Sequence, residues 1–398
     1  MQPLHIKAFT ATCAAGAGRA ELQRALDASR TGLRRNDFGR DPLATFVGRV
    51  AGVESAPLPA ELSIYECRNN RLAWMGLQRD GFLEAVAAAR ARYGSDRVAL
   101  VLGTSTSSIG ATEEAYTRLT PAGEFPDDLR YQAVHTPHST GEFLQRALAL
   151  NNVAVTVATA CSSSAKAFAQ GARLLDLGIA DAVVVGGVDS LCGSVLFGFN
   201  SLQLVSPEPC RPFDAARNGI NIGEAAAFAL LVRADDAQRS SDPHLVGYGE
   251  SSDAHHMSTP HPSGRGARIA MTDALARAGV EARDVDYLNL HGTASQKNDE
   301  IEAQVVAEMF PATLHASSTK GWTGHTLGAA GALEAVITFL SLESGLMPGN
   351  LNSRQLDGTC GPQVRLENAR GAVRHAMSNS FGFGGSNCVL LFAAATRQ

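Results

Sequence analysis

Short apolar runs alternate with amphipathic segments along most of this chain. The run from Val153 to Ala160 is rich in β-branched and small residues and almost free of polar side chains, the pattern of a strand buried on both faces. From Ser162 to Leu177 the apolar positions Ala165, Phe168, Ala169, Ala172 and Leu175 recur at helical spacing, and Gly178 supplies a stop signal. Comparable runs predict strands at Leu4 to Ala11, Arg97 to Leu102, Asp181 to Gly187, Ala225 to Val232, Leu245 to Tyr248, Val285 to Leu290, Leu314 to Ser317, Arg374 to Met377 and Cys388 to Ala393. Helical periodicity marks Arg19 to Ala28, Arg68 to Leu77, Phe82 to Ala91, Ala267 to Ala278 and Leu327 to Leu342. Gly32 to Leu62, with Pro42, Pro57 and Pro59, reads as an irregular surface segment. Strands alternating with helices predict an α/β protein with mostly parallel, buried strands. Leu102-Gly103-Thr104-Ser105 after one strand is echoed by Leu290-His291-Gly292-Thr293 after another, which hints at duplication. The polar stretch from Asp235 to Pro243 then marks a boundary between halves at residues 1–240 and 241–398.

Composition narrows the function classes. With 398 residues, 45% hydrophobic and 18% charged, the chain can bury one large core or two fused ones. A net charge of -5 without a Lys/Arg run argues against binding to nucleic acid or an anionic membrane, while leaving room for a local basic patch. The seven cysteines are scattered and contain no C-x-x-C pair, so they provide no zinc pattern and fit a reducing cytoplasm. No basic-then-apolar leader stands at the N-terminus, and no apolar run approaches the roughly 20 residues of a membrane helix. These features predict a cytoplasmic protein.

Cys161 sits where the central strand gives way to the helix. A helix N-terminus favours a thiolate, the form that attacks acyl groups, so the position predicts a lowered thiol pKa; the alternative is one more buried thiol. Three further polar stretches fall at strand ends: His291 to Asp299, Ser318 to Gly331 and Asn379 to Asn387. Singly, His291 reads equally as a structural group, Lys320 as a loop charge and Gly384-Gly385 as a tight turn. The polar loop Gly103 to Ser108 is another candidate to line a site.

Together these motifs resemble the elongating β-ketoacyl-acyl carrier protein synthases, condensing enzymes of the thiolase superfamily. The resemblance runs through Thr159-Ala160-Cys161-Ser162, His291-Gly292-Thr293, Lys320 with Thr323-Gly324-His325, Asn379-Ser380-Phe381-Gly382-Phe383-Gly384-Gly385, Cys210 to Asp214 and Ser251 to Met257. It implies a five-layered αβαβα thiolase-like fold of two similar halves. It also implies decarboxylative condensation of a Cys161-bound acyl chain with malonyl carried on acyl carrier protein. That chemistry needs a nucleophilic thiol, N–H donors for an oxyanion, such as those of Cys161 and Phe383, and two imidazoles, His291 and His325, donating to an enolate oxygen. It requires no metal and no cofactor beyond the carrier's phosphopantetheine. The resemblance further gives Lys320 a structural and electrostatic role paired with Glu334, makes Asp299 and Glu302 supports of the first histidine, and makes Phe383 the gate between acyl and malonyl sites. It places Arg68, Arg71 and Arg211 at basic positions for the acidic carrier. It implies a dimer, with an identical chain or with a related ketosynthase-like subunit.

Several departures bear on the substrate. Lys166 stands where histidine is frequent, Ala294-Ser295 replaces a more usual pair, and Gly321-Trp322 puts an indole between Lys320 and His325. Cys161-Ser162-Ser163-Ser164 is closer to polyketide-type ketosynthases than to housekeeping ones. With Phe199 and Trp322 expected at the acyl pocket, these changes point to a specialised polyene or polyketide-like pathway, of the aryl-polyene type. Two rivals stand beside this reading. A non-catalytic, chain-length-factor-like partner is opposed by the retained Cys161, His291, His325 and Lys320. A degradative thiolase or initiating synthase is opposed by the second histidine.

Overall fold

The computed structural model describes residues 1–129, 132–233 and 242–395. Its framework is two sets of five strands. The first comprises β1 (Leu4–Cys13), β2 (Val98–Gly103), β3 (Ala154–Val157), β4 (Ala182–Asp189) and β5 (Ala225–Arg233), laid side by side as β3-β2-β4-β5-β1. The second comprises β6 (His244–Ser252), β7 (Tyr287–Asn289), β8 (His315–Ser317), β9 (His375–Gly382) and β10 (Ser386–Ala393), in the order β8-β7-β9-β10-β6. Numbered from its own first strand, each set reads 3-2-4-5-1. In each set the second strand is parallel to the third and fourth, while the fifth is antiparallel to the fourth and first. The duplication hinted at by four residues therefore extends to strand order and direction. The sets join where β1 meets β6, through Leu4 opposite Leu245 and His5 opposite His244.

The sheets are mixed, not mostly parallel as the alternation predicted. In the second half the reason is local: β9 and β10 are linked by the three residues Phe383–Gly385, far too few for a crossover, so they pair as a hairpin. The expected boundary from Asp235 falls largely on residues 234–241, outside the described ones; β5 ends at Arg233 and β6 starts at His244.

Between the sheets lie α4 (Ser163–Asp176) and α7 (Ala330–Ser344), if helices are counted after α1 (Arg68–Leu77), α2 (Phe82–Tyr93), α3 (Ser139–Ala147), with α5 (Arg265–Ala278) and α6 (Gln296–Met309) in between. Helices α1, α2 and α3 cover the outer face of the first sheet, and α5 and α6 that of the second, completing five layers of the thiolase-like α/β fold. Every residue of α7 from Ala330 to Leu342 is buried, as fits a helix with apolar residues on every side, and its buried carboxylate, Glu334, is paired with Lys320. Contrary to expectation, Leu327–Ser344 is apolar and long enough to cross a membrane; here 89% of it is buried inside the fold. Gly331 lets α7 approach α4, since a Cβ there would lie 2.6 Å from the Ala165 nitrogen.

Strand β3 differs from its prediction. It is only half-buried and lies at the end of the sheet; among the described residues no strand covers its outer edge. Its counterpart β8 is covered by its own chain, because Ala316 donates to Gln363 (2.9 Å) and accepts from Arg365 (2.9 Å). Among the described residues five α-helices escaped the periodicity reading: Ile109–Tyr116, α3, Gly193–Ser201, α6 and the single turn Lys320–Thr323.

Candidate active site

After β3 the chain makes one tight turn, Ala160–Ser162, before α4 begins at Ser163. Ala160 has φ +52°, a left-handed conformation that costs a non-glycine residue about 1–2 kcal/mol. Ser163 holds the turn, its hydroxyl accepting from Thr159 N–H (2.9 Å) and donating to the Ala160 carbonyl. This elbow presents the Cys161 thiol at the base of a cavity of about 310 Å³, whose lining includes Phe199, Ile220, His291, His325, Phe381 and Phe383.

His325 is placed by its backbone. Its N–H donates to Asn221 O (2.7 Å) and its carbonyl accepts from Gly223 N–H (2.9 Å), next to where Ile222–Gly223 pairs with Val47–Gly48. The side chain brings Nε2 to 3.0 Å from Cys161 Sγ. The His291 ring lies 5.5 Å from that of His325, nearly perpendicular to it. Burial, reinforced by the Lys320 charge, holds both imidazoles well below the usual histidine range, with His325 a further cause for His291. Both are therefore neutral at pH 7. Neither Nδ1 has a hydrogen-bond partner. A buried orphan acceptor is tolerated better than a buried orphan N–H, so both rings carry their proton on Nε2, turned to the cavity as a donor.

The supports surround these groups. Lys320 is buried and its ammonium donates to Glu334 and to the His291 carbonyl. Burial pushes the Glu334 carboxyl up to about 6 while Lys320 pulls it down. Glu302 accepts from the N–H groups of His291 and Gly292 (2.8 Å each) and from Asn379 Nδ2 (2.9 Å); burial pushes it up to about 7. Asp299 accepts from Thr293 N–H (2.9 Å), Ala294 N–H (3.1 Å) and Phe213 N–H (2.8 Å), with Arg217 at 3.9 Å. Asn379 and Arg217 were not singled out in the sequence, although Asn379 opens the glycine-rich motif that points to this site.

The cysteine corrects one expectation. Burial pushes the Cys161 thiol up to about 11, outweighing the Lys320 charge and the Phe383 N–H that favour the thiolate, while Asp189 and Glu334 raise it further. The resting thiol is neutral. The Phe383 N–H thus faces the sulfur, where an oxyanion donor would stand, and its ring lies 5.6 Å from that of Phe199. Gly384 and Gly385 follow with φ +79° and +76°, conformations open to glycine. Cys161, His291 and His325 also offer three candidate metal-ligand atoms within 4.8 Å of one another, but the positive field of buried Lys320 opposes a second cation there.

Other expected residues lie elsewhere. Trp322 faces away from the cavity, its indole N–H donating to Ala25 O (3.1 Å), so it does not shape the acyl site; Phe199 does line it. Lys166 pairs with Glu250 (3.5 Å). The loop Gly103 to Ser108 does not line the cavity: its Thr104 hydroxyl and the Ser105 and Thr106 N–H groups bind buried Asp189. The three arginines expected to meet a carrier are held in internal ion pairs, Arg68 with Glu224 (2.6 Å) and Glu54, Arg71 with Glu66, and Arg211 with Glu208.

Known proteins match this arrangement along the chain. The family described as "Beta-ketoacyl synthase, N-terminal domain" fits residues 6–237, and "Beta-ketoacyl synthase, C-terminal domain" fits residues 244–354. Nodulation protein E of Rhizobium meliloti (strain 1021) is 34% identical over 307 residues, 74% of this chain and 75% of that protein. The mitochondrial 3-oxoacyl-[acyl-carrier-protein] synthase of Arabidopsis thaliana is 38% identical over 262 residues, 61% of this chain and 56% of that protein. Among solved structures, a ketosynthase (ApeO) in complex with its chain length factor (ApeC) from Xenorhabdus doucetiae superposes with a TM-score of 0.89 at 35% identity, covering 99% of this chain and 98% of that one. The thiolase-like architecture and these matches define the class as condensing acyltransferases. Within it, the chain belongs to the β-ketoacyl synthase family.

Proposed function

We propose that the chain is an elongating 3-oxoacyl-[acyl-carrier-protein] synthase acting on a polyene or polyketide-like chain of the aryl-polyene type. The observation that carries the condensing chemistry is the approach of His325 Nε2 to 3.0 Å from Cys161 Sγ, with neutral His291 in the same cavity. In the first half-reaction the Cys161 sulfur attacks the acyl carbonyl on the carrier's phosphopantetheine. The carbon–sulfur bond to the carrier breaks, and the departing thiol takes the proton that Cys161 gives up. The His325 Nε2–H favours the thiolate that burial disfavours, and the Phe383 N–H faces the oxyanion. In the second, a malonyl thioester loses CO2 and the freed electron pair becomes an enolate, whose oxygen accepts from His291 and His325. The enolate carbon attacks the Cys161 thioester, the bond to sulfur breaks, and the thiolate recovers a proton from solvent. The product is a β-keto chain two carbons longer on the carrier. No metal and no cofactor of the protein's own enters this scheme.

The aryl-polyene assignment rests on the Phe199–Phe383 pair, two aromatic faces in the cavity against which a conjugated chain can stack. The cytoplasmic assignment rests on seven free cysteines. A partner subunit, identical or ketosynthase-like, is supported by the open edge of β3, since an uncovered strand is a template for another chain. Ala154→Pro, which removes a backbone N–H that faces away from β2, would then give a monomer in light scattering, and an unchanged dimer would count against pairing at this edge.

The test of function is intact-mass spectrometry after incubation with saturated, polyunsaturated and aryl-enoyl carrier-bound primers, followed by malonyl-carrier. Acylation at Cys161 and a two-carbon-longer β-keto product are expected, with the aryl-enoyl primer preferred. A protein that takes up no primer, alone or with a candidate partner, would leave only a non-catalytic role.

A further inference from the structure

The cavity wall facing the gate is thinly held. Helix Gly193–Ser201 carries Phe199, but only Val195 and Leu196 of the helix are buried, while Phe197 is 51% exposed and Leu202, just beyond the helix, 53%. The apolar cluster beneath it is small and separate from the main cores. Its placement therefore depends on polar ties. Glu113, from helix Ile109–Tyr116, sets one carboxylate oxygen on the Gly193 N–H (2.8 Å) and the other on the Ser194 N–H. Two of the N–H groups that a helix start leaves open are thereby paired, with a negative charge at the positive end of the helix dipole. Just before the helix, the Leu191 N–H is held independently by buried Glu224 (2.9 Å). Glu113 is thus the side chain that fixes the first turn of the wall itself.

We propose that Glu113 is a positioning residue for acyl-chain selection: by clamping the start of Gly193–Ser201 it fixes how Phe199 stands against Phe383, and so which chains on Cys161 let the gate turn move. This rests on the condensing reading above. Glu113 touches no reacting atom and acts through Phe199.

The test measures kcat/KM for an octanoyl and an aryl-enoyl carrier-bound primer in the wild type, Glu113→Ala, Glu113→Gln, Phe199→Ala and the Glu113→Ala/Phe199→Ala double variant. Malonyl decarboxylation is recorded alongside. The ratio between the two primers is expected to shift about fivefold in Glu113→Ala, in the same direction as in Phe199→Ala, and the double variant is expected to shift no further than Phe199→Ala alone. In Glu113→Ala, decarboxylation, which in the proposed scheme depends on His291 and His325, should be unchanged. Glu113→Gln keeps the side-chain volume and one acceptor oxygen, and a partial shift in it carries the proposal if Glu113→Ala does not fold. An unchanged ratio, or additive effects in the double variant, overturns the proposal. A wild type that forms no β-keto product would instead overturn the condensing reading, so the two failures are distinguishable.

Discussion

The two histidines are not equivalent in this structure, and their difference can be measured. His325 contacts the Cys161 sulfur at 3.0 Å, whereas the His291 ring stands 5.5 Å from the His325 ring and is tied through its backbone to Glu302 and Lys320. In the condensation proposed above, His291→Ala removes one enolate donor and leaves the thiol's neighbour in place. Removing one such preorganised donor costs about 10²–10³-fold in rate, or about 2.7–4 kcal/mol of transition-state stabilisation. Decarboxylation of malonyl-carrier, followed by CO2 release, should therefore fall by about that factor in His291→Ala, while acylation of Cys161, followed by intact mass, stays within about threefold of wild type. His325→Ala should lower both half-reactions, because it removes an enolate donor and the donor to sulfur together. Equal losses of acylation and decarboxylation in His291→Ala would refute this division of labour.

The buried thiol, raised to about 11, predicts that alkylation of Cys161 by iodoacetamide accelerates about tenfold per pH unit through pH 9; a plateau with a midpoint near 7 would contradict burial as the dominant influence. Glu302, whose ordinary value of 4.5 is raised to about 7 in the fold, stabilises fully below pH 4.5 and loses that contribution as pH rises through 7. Urea unfolding should then show wild type losing up to about 3 kcal/mol relative to Glu302→Gln between those limits, and parallel pH profiles would argue against it. Because the Lys320 charge lowers both histidines, the Lys320→Met/Glu334→Gln pair should move the acid limb of decarboxylation to higher pH; an unmoved limb would mean that burial alone sets it.

The groups that meet at the candidate site were readable because strand ends there leave compact polar motifs between apolar runs: Cys161 after β3, His291 after β7, and Lys320 with His325 after β8. Other features depended on what lies across space. Trp322 is two residues from Lys320 in sequence, yet it packs toward Ala25, and sequence proximity to the site said nothing of that direction. The thiol's environment was misjudged because a helix start was visible along the chain and its burial between two sheets was not. Gly193–Ser201 was missed because it carries two glycines and shows little alternation between apolar and polar faces, and Ile109–Tyr116 because only Ala115 of it is buried. The arginines at 68, 71 and 211 were visible as cations, but their pairing with Glu224, Glu66 and Glu208 depends on the folded loops.

The duplicated strand order explains why the site lies where it does. Cys161 follows the third strand of the first half, and Lys320 and His325 follow the third strand of the second, so the same topological position supplies the thiol on one side and the histidine that touches it on the other. The second strands are likewise equivalent: β7 leads to His291, and β2 leads to the Thr104–Thr106 loop that was expected to line the cavity. That loop is instead spent on Asp189, at the end of β4. The short echo between Leu102-Gly103-Thr104-Ser105 and Leu290-His291-Gly292-Thr293 thus marks equivalent places with divergent work, one binding a buried carboxylate within the scaffold and the other presenting an imidazole to the cavity. The outer edges diverge in the same way, β8 covered by residues 363–365 and β3 left uncovered by any strand among the described residues. The half that carries Cys161 is also the half whose edge strand is uncovered among the described residues, so under the proposed pairing a subunit docked on β3 sits four residues from Cys161 along the chain, next to the acyl site of the proposed reaction.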